Sequence, residues 1–126
     1  MEELTKAEER IMQVLWKLQT AFVKDIIDEL DEEPKPPYNT ISSIVRLLEK
    51  KGYVSYKAYG KTYEYFPAIS KEDYAKTTFT KLFSGYFDNS PASLLSFMVK
   101  EEKLSAEDIA ELTALINKNK NQDGTI

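Results

Sequence analysis

The spacing of apolar residues changes at residue 53, and this change constrains the fold more than any other feature of the chain. Before residue 53, apolar side chains recur every three or four residues, a spacing that predicts helices. From 53 to 67 the sequence is YVSYKAYGKTYEYFP, which is rich in aromatic and β-forming residues on both sides of Gly60-Lys61. Such a segment predicts a β-hairpin with its turn at the glycine.

Three amphipathic helices are predicted before the hairpin, at residues 5–18, 21–31 and 38–51. The first has one apolar arc and two large side chains, Met12 and Trp16, on its far side. A helix that is apolar on two faces usually packs between neighbours, so we interpret Trp16 as a core residue, with a partner-binding tryptophan as the alternative. The arc consists of Ala7, Ile11, Val14, Leu15 and Leu18.

Capping residues and prolines mark the ends of the predicted helices. Thr20 is the expected N-cap of the second helix, and the prolines of residues 31–37 end it because proline cannot continue the backbone hydrogen-bond ladder. After the hairpin, Ser70, Ser90 and Ser105 predict the starts of three further helices at 71–87, 91–101 and 106–118.

This order of elements predicts a mainly α fold with a small β-hairpin wing, that is, a winged helix-turn-helix followed by a helical region. We expect a winged-helix domain at residues 1–69, a helical dimerisation region at 70–118 and a polar tail at 119–126. In a winged helix-turn-helix, the last helix before the wing is the one that enters the major groove of DNA.

Positive charge is concentrated in the middle of an otherwise acidic chain. The net charge is -4, but residues 35–61 carry six Lys/Arg and one Asp/Glu, a local net charge of +5. The segment contains the third helix and most of the hairpin, so an anion would bind there. On the third helix, the face opposite Ile41, Val45 and Leu48 is polar. The predicted DNA-binding residues are Asn39, Thr40, Ser42, Ser43, Arg46, Lys50, Lys57 and Lys61.

The last three predicted helices carry more apolar surface than they can cover themselves. Leaving half a dozen large apolar side chains exposed would forfeit roughly 10 kcal/mol, and a second copy of the chain could cover them. Packing onto the winged helix of the same chain is the alternative. The predicted dimerisation residues are Phe79, Leu82, Phe83, Tyr86, Leu94, Leu95, Phe97, Met98, Ile109, Leu112 and Ile116.

The composition argues against several functions. The chain has no Cys and no His, so disulfides are excluded and the usual zinc ligands and the commonest general base are missing. We expect no metal, no cofactor and no enzymatic activity. The acidic N-terminus is unlike a secretory signal and no apolar run would span a membrane, so a cytoplasmic protein is expected.

Several short segments together resemble the BlaI/MecI penicillinase-repressor family of bacterial transcription regulators. They are residues 4–8 (LTKAE), 14–16 (VLW), 37–41 (PYNTI), 47–53 (LLEKKGY), 60–63 (GKTY), 65–67 (YFP), 93–97 (SLLSF) and 103–105 (KLS). The resemblance implies a homodimeric repressor on a dyad-symmetric (palindromic) operator in double-stranded DNA. It implies that the winged helix contacts DNA and that the C-terminal helices dimerise.

The resemblance also bears on regulation. Some members of the family are inactivated when a membrane-bound sensor system leads to proteolysis of an Asn-Phe bond in the C-terminal helices. This chain has Ser96-Phe97 at the matching place, which makes it the candidate cleavage bond and departs from the family pattern. Copper-responsive relatives carry a C-terminal cysteine motif that this chain lacks.

One other function stays open on the sequence alone. A winged helix can bind protein instead of nucleic acid, with Trp16 and the C-terminal helices as the interface. The adjacent acids Glu8-Glu9 and Glu101-Glu102 could suggest catalysis, but they are more simply solvated helix faces, and no Gly-rich phosphate loop accompanies them.

Overall fold

The structure is a computed structural model that describes the backbone of residues 3–123 and the side chains of residues 3–120. Its contacts divide the chain into two compact units, Met1–Lys76 and Thr77–Ile126. The elements in chain order are α1 (Lys6–Leu18), α2 (Val23–Glu29), α3 (Tyr38–Lys50), β1 (Val54–Tyr59), β2 (Thr62–Pro67), α4 (Lys71–Phe87), α5 (Pro91–Lys100) and α6 (Ala106–Asp123). The predicted fold class, mainly α with a small β wing, is confirmed.

Helix α1 begins with a capping box and buries a broad face. The Glu8 N–H donates to Thr5 Oγ1 at 3.1 Å, and the Thr5 N–H donates to Glu8 Oε1 at 2.9 Å, which satisfies two of the helix's first donors. The prediction that Ala7 belongs to the buried arc is wrong, since it is exposed. The arc includes Met12 and Trp16 and is therefore rotated away from Ala7.

Trp16 belongs to the core, as the interpretation of a helix with two apolar faces predicted. Its side chain is 8% exposed, and its ring centroid lies 5.5 Å from that of Tyr74. Its Nε1–H donates to the Ile69 carbonyl at 2.9 Å, so the one polar atom of the indole is satisfied inside the fold. Trp16 is therefore committed to packing and offers little surface to a partner.

Helix α2 is shorter than the predicted 21–31, and Thr20 does not cap it. Ala21 pairs with β2 instead, and the Phe22 N–H donates to Asp25 Oδ2 at 2.9 Å at the helix start. The predicted ends of the other N-terminal helices are correct to within one residue. Core side chains come from all three helices and from the hairpin, among them Ile11, Ile26, Ile41 and Tyr65.

The hairpin is held to the helices along one strand. Its antiparallel register pairs Val54 with Pro67 and Tyr59 with Thr62. Tyr65 also exchanges two backbone hydrogen bonds with Ala21, of 2.8 and 2.9 Å. Because Ala21 lies between α1 and α2, these bonds fix the base of the wing while its tip extends beyond the core.

The last helix is longer than predicted. α6 continues to Asp123, five residues beyond the predicted end at 118, so most of the predicted polar tail at 119–126 is helical; residues 124–126 lie outside the described part. Residues 117–123 contain neither Gly nor Pro, and polar side chains alone do not end a helix. Within the described residues, no helix is both long and apolar enough to cross a membrane.

Candidate nucleic-acid interface

Helix α3 is held firmly enough to present a defined surface. It buries Ile41, Val45 and Leu48, all 0% exposed, and follows the extended residue Pro37, which supplies the first helical carbonyl. At its end Gly52 has a φ of 87°, a conformation that glycine adopts without strain. The chain thus turns directly from α3 into the wing.

The opposite face of α3 is polar and accessible. Asn39, Thr40, Ser43, Arg46 and Lys50 are exposed, and Ser42 is half-buried. Short side chains at the helix start allow the backbone to approach base edges, and the amide of Asn39 is the group that pairs with adenine. Arg46 follows two turns later and can contact guanine or a phosphate.

The wing adds cations beside this face, but unequally. Lys61 is exposed next to Gly60, whose φ is 64°. Lys57 is also exposed, yet its Nζ lies 5.5 Å from the centroid of the Tyr59 ring and its strand partner is Glu64. The neighbouring carboxylate offsets part of the Lys57 charge, so we expect Lys61 to contribute more to anion binding.

The start of α3 carries no acidic residue, unlike the first turns of α1, α2, α4 and α6. The positive end of its dipole is therefore not neutralised. Farther along the helix, burial raises the pKa of the Tyr65 hydroxyl above its ordinary value of 10.0, and the Glu49 carboxylate raises it further while Arg46 lowers it. Arg46 and Glu49 therefore both lie within electrostatic reach of the Tyr65 hydroxyl on β2.

Lys51 does not join the exposed cations of α3 and the wing, although the basic segment of the sequence includes it. Its Nζ donates to Glu8 Oε1 at 2.7 Å, and the Glu8 side chain is 4% exposed. The prediction that Glu8 lies on a solvated helix face is therefore wrong. The pair joins the end of α3 to the start of α1. The local charge available to an anion is correspondingly smaller than the sequence count.

This difference between two adjacent lysines gives a direct test. We expect Lys50→Gln to reduce the slope of log affinity for DNA against log salt by about 1 per contacted phosphate, because one counterion fewer is released. Lys51→Gln should leave the slope unchanged but lower the free energy of unfolding by about 1–3 kcal/mol, because it leaves Glu8 buried without its partner. Fluorescence anisotropy at several salt concentrations and urea unfolding measure the two effects. Equal slopes for both variants would contradict this assignment.

The same ion pair makes stability depend on pH. Burial alone would raise the pKa of Glu8, but the Lys51 ammonium and the Thr5 N–H more than offset it, and the net pKa lies below the ordinary value of 4.5. A depressed pKa stabilises the fold above pH 4.5, and this contribution disappears as the pH falls through the folded-state value. Glu8→Gln should flatten the pH dependence of the unfolding free energy below about pH 4.5. If urea unfolding gives the variant the same pH dependence of the unfolding free energy below about pH 4.5 as the parent, Glu8 is not responsible.

Sequence reasoning did not single out Tyr38, which is the first residue of α3 and 57% exposed. A helical wheel places it beside the buried stripe, so periodicity gave no reason to expect an accessible ring. The available signal was its position, since a side chain in the first turn has no preceding turn to pack against.

The predicted dimerisation residues lie on α4, α5 and α6, where no side chain is fully covered by the described part of the chain. Among the described side chains from residue 77 to 120, none is buried. A few rings pack together, with centroids 5.3 Å apart for Phe79 and Phe83 and 5.4 Å apart for Phe87 and Phe97. Phe83, Leu94 and Met98 are half-buried, whereas the exposed members of the predicted set are Phe79, Leu82, Tyr86, Leu95, Phe97, Ile109, Leu112 and Ile116.

The candidate cleavage bond is accessible but helical. Ser96 and Phe97 are both exposed, and they lie inside α5. A peptide bond in the middle of a helix is reached by a protease only after the helix opens locally. The described residues contain no group of three or more Asp, Glu, His or Cys side chains arranged to hold a metal ion.

Three helices, a wing paired to them and an exposed polar face on the third helix define a winged helix-turn-helix protein. The family model described as "Penicillinase repressor" matches residues 4–118, and the chain belongs to this family. The methicillin resistance regulatory protein MecI of Staphylococcus aureus strain N315 is 28% identical over 120 residues, which are 92% of this chain and 94% of that protein. A penicillinase repressor of Bacillus licheniformis is 25% identical over 120 residues, 95% and 94% of the two chains.

A similar solved structure is the solution structure of monomeric Bacillus licheniformis BlaI in complex with the blaP half-operator. It shares 29% sequence identity with this chain, and the TM-score is 0.48. The matched region covers 58% of this chain and 89% of the BlaI chain.

Proposed function

We propose that this chain is a sequence-specific DNA-binding transcriptional repressor that acts as a homodimer on a dyad-symmetric operator. The observation that carries the proposal is the exposed face of α3 from Asn39 to Lys50, which lies next to a wing with Lys61 in its turn. Membership of a family described as a repressor supports it. Repression requires access to the chromosome, so the bacterial cytoplasm is the expected location.

Two kinds of DNA contact are assigned to this surface. Asn39, Thr40, Ser43 and Arg46 would lie against base edges in the major groove, and the half-buried Ser42 at their margin. Lys50, Lys57 and Lys61 would neutralise phosphates, which fix the protein's position without selecting a sequence.

The dimer is supported by the exposed apolar surface of α4, α5 and α6. A second copy offers the same surface in a self-complementary arrangement, as two-fold interfaces do. Dimerisation would also place two α3 helices on half-sites one turn of DNA apart, roughly 34 Å, so that the second contact becomes intramolecular.

The proposal includes regulation by proteolysis. A protease controlled by a membrane sensor would act at Ser96-Phe97, and it would need α5 to open first. We expect a cut at this bond to separate Phe97 and α6 from the rest of the interface and so to release DNA. Mass spectrometry of the fragments after induction identifies the bond.

An electrophoretic mobility shift tests the proposed function. The probes are duplexes selected from a random library by the purified full-length chain, with a shuffled duplex as control. We expect the selected sequences to show two-fold symmetry and log affinity to fall steeply with log salt. Failure to enrich any sequence, together with an affinity that does not depend on salt, would contradict the proposal.

A further inference from the structure

A small groove lies between the two elements assigned to DNA contact. It encloses about 280 Å³ where the start of α2, the start of α3 and the wing meet. Its walls include Phe22, Lys24, Asp25, Tyr38, Thr62 and Tyr63. All of these residues belong to the first compact unit.

Two of the polar side chains in the groove, those of Asp25 and Thr62, already have partners within the chain. Asp25 accepts the Phe22 N–H at 2.9 Å, and the Thr62 hydroxyl donates to the Tyr59 carbonyl at 2.9 Å. The hydroxyls of Tyr38 and Tyr63 make no hydrogen bond to any described residue, and these side chains are 57% and 42% exposed. Two unused phenol donors therefore remain in the groove.

The Tyr63 ring is also held in place. Its centroid lies 4.4 Å from that of Tyr56 and 6.3 Å from that of the buried Tyr65. A side chain fixed by its neighbours loses less conformational entropy when it binds. Tyr63 is therefore prepared to donate a hydrogen bond from a defined position.

The position of the groove indicates its occupant. Tyr38 immediately precedes Asn39 at the start of the proposed recognition helix, and Tyr63 lies two residues after Lys61 in the wing. A duplex that contacts both elements must pass one of its strands across the space between them. We propose that the groove holds a stretch of the sugar-phosphate backbone, with the hydroxyls of Tyr38 and Tyr63 donating to phosphate oxygens. This inference depends on the proposed function.

Contacts of this kind differ from those of lysine in a measurable way. A tyrosine hydroxyl is neutral, so its hydrogen bond to a phosphate releases no condensed counterion. Its loss should lower affinity by the same factor at every salt concentration. It should also do so equally on different sequences, because the backbone carries no direct sequence information.

Binding of the full-length Tyr38→Phe and Tyr63→Phe variants to a selected duplex, measured by anisotropy between low and high salt, tests the inference. We expect each to bind about tenfold more weakly than the parent protein, about threefold for each half-site, which is the low end of the range for the net contribution of one ordinary hydrogen bond. Plots of log affinity against log salt should be parallel to the parent's. Lys61→Gln should instead reduce the slope.

Tyr59→Phe is the matched control, because Tyr59 is also exposed on the hairpin but does not line the groove, and the change keeps the ring that packs 6.0 Å from Phe22. It should bind as the parent does. If both groove variants bind within a factor of two of the parent, the inference is overturned, although retention of the duplex still upholds the proposed function. It is also overturned if the loss is confined to one base pair of the duplex, because the hydroxyl would then contact a base.

Discussion

Replacing Leu82 by glutamate is expected to convert the proposed dimer to monomers and to weaken operator binding by about 10²- to 10⁴-fold. Leu82 is 43% exposed on α4, so in a single chain the carboxylate would remain in water. In the proposed interface it would be buried in apolar surroundings without a partner, which costs several kcal/mol. The operator would then be bound by one winged helix at a time.

Ser84→Glu is the matched control for this variant. Ser84 is an exposed residue on the same helix, about 160° around the axis from Leu82, and it lies outside the apolar face that Phe79, Leu82 and Tyr86 form. Sedimentation velocity should give a dimer for Ser84→Glu and a monomer for Leu82→Glu, with equal helix content for both. A dimer of unchanged affinity in the Leu82 variant would mean that α4 does not form the interface.

Arg46→Ala is expected to cost about 1–3 kcal/mol for each half-site and thus twice this for the dimer on its full operator. Arg46 is exposed on the polar face of α3 and makes no ion pair with any described residue. Because the change removes surface charge and little packing, thermal stability should hardly change. Anisotropy on the selected duplex and a thermal melt measure the two quantities.

Arg46→Lys distinguishes the two contacts that Arg46 could make. A lysine keeps the charge but cannot form the paired hydrogen bonds of a guanidinium with guanine. If Arg46 contacts guanine, the lysine variant should keep the salt slope and lose discrimination at one base pair. If it clamps a phosphate, the lysine variant should approach parental affinity on every sequence. Parental binding by Arg46→Ala would exclude both roles.

The fold was largely predictable because local signals and burial agree. On α1, Ile11 and Leu15 are four residues apart and fully buried, as are Ile41 and Val45 on α3. The hairpin begins after Gly52, where the spacing of apolar residues changes. The errors arise where tertiary contacts determine the outcome. Ala21 pairs with Tyr65 instead of continuing into a helix, and the first helix turns its Met12 and Trp16 face inward, which leaves Ala7 exposed.

The candidate site was predictable as a surface, but the part played by each residue was not. Helical spacing places Asn39, Ser43 and Arg46 on one face whatever the rest of the chain does. Charge counting cannot show that Lys51 is paired with Glu8, because the two residues are 43 positions apart in sequence. Nor can it identify Tyr38, whose accessibility depends on where α2 and the wing lie.

Hydroxyl-radical footprinting of the full-length protein on a selected duplex tests the central claim most directly. If two copies of α3 and its wing bind one duplex, each strand should show protected blocks related by two-fold symmetry. Their centres should lie about one helical turn, or a whole number of turns, apart. A single block, or no protection at a concentration that retards the duplex, would contradict the account.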